Sequence, residues 1–157
     1  MWAVCGPPRT GTTAMLEAVA SWTSLSVRWS VRTEWANRRQ TGLNEAFLEL
    51  PPDAIRGAGP DDVVKILNPG VPVEPTRAIL MVRDPEVVSA SARARLGQLI
   101  SPAEVVARAD LFRARGWPLD EVDVSELCDL PSLFGRLASR GWPVVGPSRT
   151  LSTKAVR

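Results

Sequence analysis

The segment Trp2-Ala-Val-Cys-Gly6-Pro-Pro-Arg-Thr-Gly11-Thr-Thr13 constrains this chain more than any other. Trp2 to Cys5 predicts a buried strand, Gly6 to Gly11 a tight loop, and Thr12 to Trp22 a helix with Met15, Val19 and Trp22 on one face. A loop that leads from a strand into a helix N-terminus aims backbone N–H groups and the positive end of the helix dipole at one point, which suits an anion such as phosphate. It also commits the first strand to a sheet covered by helices.

The rest of the chain continues that pattern. Leu25 to Val31 alternates apolar and polar residues, as a strand near a sheet edge does. Between Thr33 and Pro60 the pattern loosens into an insert with a helix expected over Leu43 to Leu50, broken by Pro51-Pro52 and by Gly57-Ala-Gly-Pro60. Asp62 to Leu67 and Arg77 to Val82 are continuous apolar runs, the signature of central parallel strands buried on both faces. Asp84-Pro85-Glu86 and Ser101-Pro-Ala-Glu104 open helices, the second with a capping-box pattern and Gly116 as its stop. Val122 to Val124 predicts a fifth strand, Pro131 to Arg140 a helix, and Trp142 to Val145 a last short strand. The expectation is one α/β domain over 1–157 with three layers: a central, mostly parallel sheet of about five strands, flanked by helices.

Composition removes whole classes of chemistry. The chain has no histidine, so imidazole metal sites, Ser-His-Asp triads and a histidine general base are excluded, and no metal is expected. Its two cysteines, Cys5 and Cys128, are too few for a disulfide scaffold and read as core residues. No apolar run approaches the ~20 residues of a membrane span, and no secretory leader is visible, so no membrane partner and a cytoplasmic location are expected. A formal charge of +2 makes a nucleic-acid partner unlikely on bulk electrostatics. Nearly all the positive charge is arginine, the side chain suited to bidentate phosphate contacts.

The loop has almost the spacing of a Walker A motif, but Thr12 stands where that motif carries lysine, and the cation lies earlier, at Arg9. Pro-Arg9-Thr10-Gly11-Thr12-Thr13 resembles instead the 5′-phosphosulfate loop of the sulfotransferase family. A second match lies in Ala78-Ile-Leu-Met-Val-Arg83-Asp84-Pro85, similar to that family's strand ending in Arg-Asp-Pro, with Ser91 eight residues after the arginine as in the family.

The resemblance covers Ala3 to Leu16 and Val63 to Arg95. It implies 3′-phosphoadenosine 5′-phosphosulfate (PAPS) as nucleotide donor, its 3′,5′-bisphosphate (PAP) as product, and transfer of the sulfuryl group to an unidentified hydroxyl or amine acceptor. Thr10, Gly11, Thr12 and Thr13 would hold the 5′-phosphate, Arg9 would face the bridging oxygen and sulfuryl group, and Arg83 and Ser91 would hold the 3′-phosphate. Lys65 resembles the family lysine near the sulfuryl oxygens. Glu34 stands where glycan-modifying relatives place a base.

The chain also departs from the family. Leu67 replaces a histidine of cytosolic members, and Ala14 occupies the position of an adenine-stacking tryptophan. The C-terminal Arg-Lys-Gly loop is missing unless Arg149 and Lys154 substitute for it. Two alternatives follow: a nucleotide kinase-like phosphotransferase on the same architecture, for which the Walker lysine is missing, and a shortened relative that binds nucleotide or a partner without catalysis.

Overall fold

A computed structural model of the protein describes residues 1–30, 52–148 and 153–156. Glu34 and the helix expected over Leu43 to Leu50 lie outside the described residues.

The strands are β1 (Trp2–Cys5), β2 (Ser26–Ser30), β3 (Asp62–Ile66), β4 (Ala78–Val82), β5 (Leu119–Asp123) and β6 (Thr153–Val156). They form one sheet in the order β5-β4-β1-β3-β2-β6, and every pairing is parallel. β1 sits between β3 and β4, with Val4 opposite Lys65 on one side and Ile79 on the other. Burial on both faces explains why these three strands read as near-continuous apolar runs.

The helices are α1 (Thr12–Trp22), α2 (Pro52–Arg56), α3 (Pro85–Leu96), α4 (Pro102–Arg113) and α5 (Leu130–Ser139), with a 3₁₀ turn over Val124–Cys128. Side chains that alternate along the strands divide the core in two. Val4, Val63, Ile79, Met81 and Val122 pack with Met15, Leu16 and Val19 of α1 and Leu133, Phe134 and Leu137 of α5. Ala3, Cys5, Val64, Ile66 and Leu80 pack on the other face with Ile55 of α2 and Phe112 of α4. Val88 and Ala92 of α3 join Ile100 and Val105 in a smaller cluster that fixes α3 against α4. The three-layer α/β arrangement expected from the sequence is thus present.

Several local expectations need correction. Pro52–Arg56 is a short helix rather than an interruption, because Ile55 is drawn fully into the core. Trp142 to Val145 forms no strand in the sheet; Val144 makes an isolated antiparallel bridge to Thr23, while the outer strand is Thr153–Val156. Only half of the expected capping box on α4 forms. Ser101 Oγ accepts the Glu104 N–H at 3.1 Å, but the Glu104 carboxylate turns to Arg108 at 2.8 Å. The full reciprocal box lies instead at Asp123 and Glu126, where β5 passes into the 3₁₀ turn.

Asp120 ties the edge of the sheet together. Its carboxylate is almost fully buried and accepts hydrogen bonds from Arg77 Nε at 2.8 Å and Trp142 Nε1 at 2.9 Å. A buried carboxylate with charged and neutral donors leaves both stranded when it is removed. Asp120→Ala should therefore lower the unfolding free energy by roughly 2–4 kcal/mol, read as a drop in the urea midpoint with little change in slope.

Candidate anion-binding site

After β1 the chain enters left-handed space at Gly6 (φ 148°), Arg9 (67°) and Gly11 (89°). Glycine is required at two of these positions. A Cβ on Gly6 would stand 2.8 Å from the Met81 carbonyl oxygen, and one on Gly11 would stand 2.9 Å from Val124 Cγ2. Arg9 is the exception, a side-chain-bearing residue in a sparsely populated conformation that costs about 1–3 kcal/mol.

Two contacts hold Arg9 there. Its carbonyl oxygen accepts a hydrogen bond from Arg83 Nη1 at 3.3 Å, and its Nε donates to Ser91 Oγ at 3.1 Å. They cross 74 and 82 residues of sequence and join the loop to the end of β4 and to α3. The two motifs that the sequence singled out separately meet at one place.

The remaining loop residues complete a compact turn. Thr10 is buried, and its hydroxyl donates to the Pro7 carbonyl at 2.7 Å. Thr12 is buried at the start of α1, and Thr13 Oγ1 accepts a hydrogen bond from Lys65 Nζ at 2.8 Å. Lys65 is only 4% exposed, so its ammonium reaches the loop rather than solvent.

α1 opens differently from α3, α4 and α5. Its N-cap, Gly11, has no side-chain acceptor, and its first turn contains no acid. The starts of α3, α4 and α5 are capped by the side chains of Asp84, Ser101 and Asp129. The first amides of a helix have no intrahelical partner. Those of α1 receive no side-chain cap, and they face the end of the sheet where the cations gather.

Electrostatics set this place apart. Arg9 is held below the usual arginine pKa, first by burial, then by repulsion from Arg95, then from Arg83. Its guanidinium nonetheless stays protonated around neutral pH. Elsewhere among the described residues, arginines pair with carboxylates, for example Arg28 with Asp62, Arg77 with Asp120 and Arg113 with Asp110. Among the described residues, Arg9, Arg83 and Arg95 have no such partner, and neither does Arg93 on another side of α3. Asp123 feels the charge of Arg83, but its low pKa comes mainly from hydrogen bonds with the Ser125 hydroxyl and N–H.

Two hollows adjoin the loop. One, about 230 Å³, lies between Pro7, Thr10, Arg83 and the Val105, Val106 and Ala109 side of α4. The other, about 450 Å³, runs along α1 between Ala14, Glu17, Ala18 and Ser21 on one wall and Leu127 and Leu130 on the other. Among the described residues, no cluster of acids and cysteines could hold a metal ion.

The structure thus brings together Arg9, Thr10, Gly11, Thr12, Thr13, Lys65, Arg83 and Ser91, every expected site residue except Glu34. Arg149 is also outside the described residues. Lys154 lies on β6, separated from β4 by β2, β3 and β1 in the sheet order. Arg95 was missed in the sequence, although its position four residues after Ser91 puts both on one face of α3.

Fold and site define an α/β protein that gathers unpaired arginines and a buried lysine at an uncapped helix start. No protein-family model matches the chain, and no curated protein matches it.

The strain at Arg9 gives a prediction. Arg9→Gly should remove the left-handed penalty and the repulsion from Arg95 and Arg83, raising the melting temperature by roughly 2–4 °C, while anion binding at the loop is lost. Thermal unfolding with and without pyrophosphate reads both effects; a variant that melts below the parent would show that Arg9 is a structural residue of the loop.

Proposed function

We propose that this chain is a cytoplasmic enzyme that binds PAPS and transfers its sulfuryl group to a hydroxyl or amine acceptor. The observation that carries the reading is the meeting of Arg9, Arg83 and Ser91 beside the uncapped start of α1. A nucleotide with phosphates on both the 5′ and 3′ positions needs two adjacent anion subsites, one of backbone amides and one of side chains. The loop from Gly6 to Thr13 provides the first, and Arg83 with Ser91 the second. A thiol at Cys5 with its pKa pushed up by burial, and an unpaired Cys128, suit a reducing compartment.

The base of the nucleotide lies in the groove along α1. Ala14 and Ala18 are too small to stack on it, but Leu127 and Leu130 form an apolar wall facing them, and Glu17 and Ser21 offer hydrogen-bonding groups at the rim. Leu127 Cδ1 comes within 3.7 Å of a Cβ built on Gly11, so one wall of this groove packs against the loop.

The bound donor supplies an activated sulfur whose bond to the 5′-phosphate oxygen breaks as the acceptor atom attacks. Arg9 and Lys65 stand where negative charge builds during that step, and fixed cations in a partly buried place stabilise a transition state with little reorganisation. Arg9 remains protonated, so it neutralises the leaving phosphate without giving it a proton. The acceptor proton goes to a base, for which Glu34 is the candidate. A phosphotransferase reading is weaker, because Thr12 occupies the position of the phosphate-bridging lysine.

Transfer from sulfur-labelled PAPS to phenol, alcohol and amine acceptors tests the reading. Labelled product is expected, and Arg9→Ala should slow single-turnover transfer by roughly 10²–10³ with a smaller loss of nucleotide affinity. Glu34→Gln should cut turnover by roughly 10²–10⁴ while leaving PAP affinity nearly unchanged. Tight PAP binding without transfer to any acceptor would establish a non-catalytic nucleotide binder, and phosphoryl transfer from ATP would establish a kinase.

A further inference from the structure

Arg95 has no role in the resemblance and no partner among the carboxylates of the described residues, yet it is placed with care. α3 begins at Pro85, two residues after Arg83, and is anchored to α4 by the buried side chains of Val88 and Ala92. On the face that turns toward the loop, Ser91 receives the Arg9 Nε hydrogen bond, and Arg95 follows one turn later. Helical side chains lean back toward the N-terminus, so a long residue at 95 covers the turn that contains Ser91. Repulsion from Arg95 is one of the causes, after burial, that hold the Arg9 pKa down, in keeping with this position on the helix.

Among the described residues, every arginine outside this cluster except Arg93 pairs with an acid, even in exposed pairs such as Arg108 with Glu104 on α4. Arg9, Arg83 and Arg95 make no ion pair among the described residues, although Asp123 feels the charge of Arg83, and an anion with more than one negative charge would relieve the repulsion on Arg9. Arg83 approaches from the strand end and Arg95 from the helix, so a phosphate at Ser91 would lie between two guanidinium groups.

We infer that Arg95 is a binding residue for the 3′-phosphate, closing from α3 the subsite that Arg83 and Ser91 open. The inference rests on the proposed nucleotide reading. The second cation comes from one turn further along the same helix. A guanidinium gives two parallel donors to a phosphate, a geometry that lysine cannot copy.

Calorimetry with adenosine 3′,5′-bisphosphate and adenosine 5′-monophosphate tests this on the parent, Arg95→Gln, Arg95→Lys and Arg93→Gln proteins. Arg93 is two residues from Ser91 and on another side of α3, so its variant controls for net charge. The parent is expected to prefer the bisphosphate. Arg95→Gln should weaken bisphosphate binding roughly tenfold and leave the monophosphate within about twofold, Arg95→Lys should recover part of the loss, and Arg93→Gln should change neither. If the parent prefers the bisphosphate but Arg95→Gln changes nothing, weakens both nucleotides equally, or is matched by Arg93→Gln, the inference is overturned and the nucleotide reading stands. If the parent shows no preference or binds neither nucleotide, both fall together.

Discussion

Holding Arg9 beside Arg83 and Arg95 costs free energy, because like charges repel and burial strips part of the water from Arg9. The rest of the architecture absorbs that cost. β1 is locked between β3 and β4, so the loop starts from the most restrained point of the sheet. α3 is fixed by its own apolar cluster against α4, which holds Ser91 opposite Arg9. The Arg83 hydrogen bond to the Arg9 carbonyl then fixes the left-handed turn from the other side. The same restraints leave α1 uncapped, because the position before Thr12 must be glycine to clear Val124. A side-chain cap and this close approach exclude each other.

The contrast with the remaining helices is instructive. Asp84, Ser101 and Asp129 satisfy local donors and tie three helix starts to their own sequence. Arg77 and Trp142 converge on Asp120 and give the far end of the sheet a neutral, closed network. The buried Asp120 carboxylate is satisfied within the fold. At the loop, among the described residues, Arg9, Arg83 and Arg95 make no ion pair, and this difference, rather than any single residue, marks the loop as the candidate anion site.

Much of this was legible from residue pattern. The β1-loop-α1 unit, the central strands β3 and β4, and the Asp84-Pro85 helix start follow from apolar runs, glycine spacing and caps, which act locally. Elements decided by distant packing were not legible. Ile55 turns a proline-rich stretch into a helix because the α4 face of the sheet has room for it, and β6 pairs with β2 across a long stretch of sequence. At the site, the types and spacing of Arg9, Arg83 and Ser91 marked the candidates, but only the fold shows that Arg9 and Ser91 touch. Arg95 escaped notice because an exposed helix arginine has no sequence signature until the direction of its helix face is known.

A crystal structure of the protein with adenosine 3′,5′-bisphosphate tests the central claim most directly, because it locates both phosphates at once. The account predicts the 5′-phosphate against the backbone from Arg9 to Thr13, and the 3′-phosphate within hydrogen-bond distance of Arg83 and Ser91. A nucleotide seated elsewhere, or one whose 3′-phosphate points into solvent while Arg83 and Ser91 remain bonded only to Arg9, would contradict it.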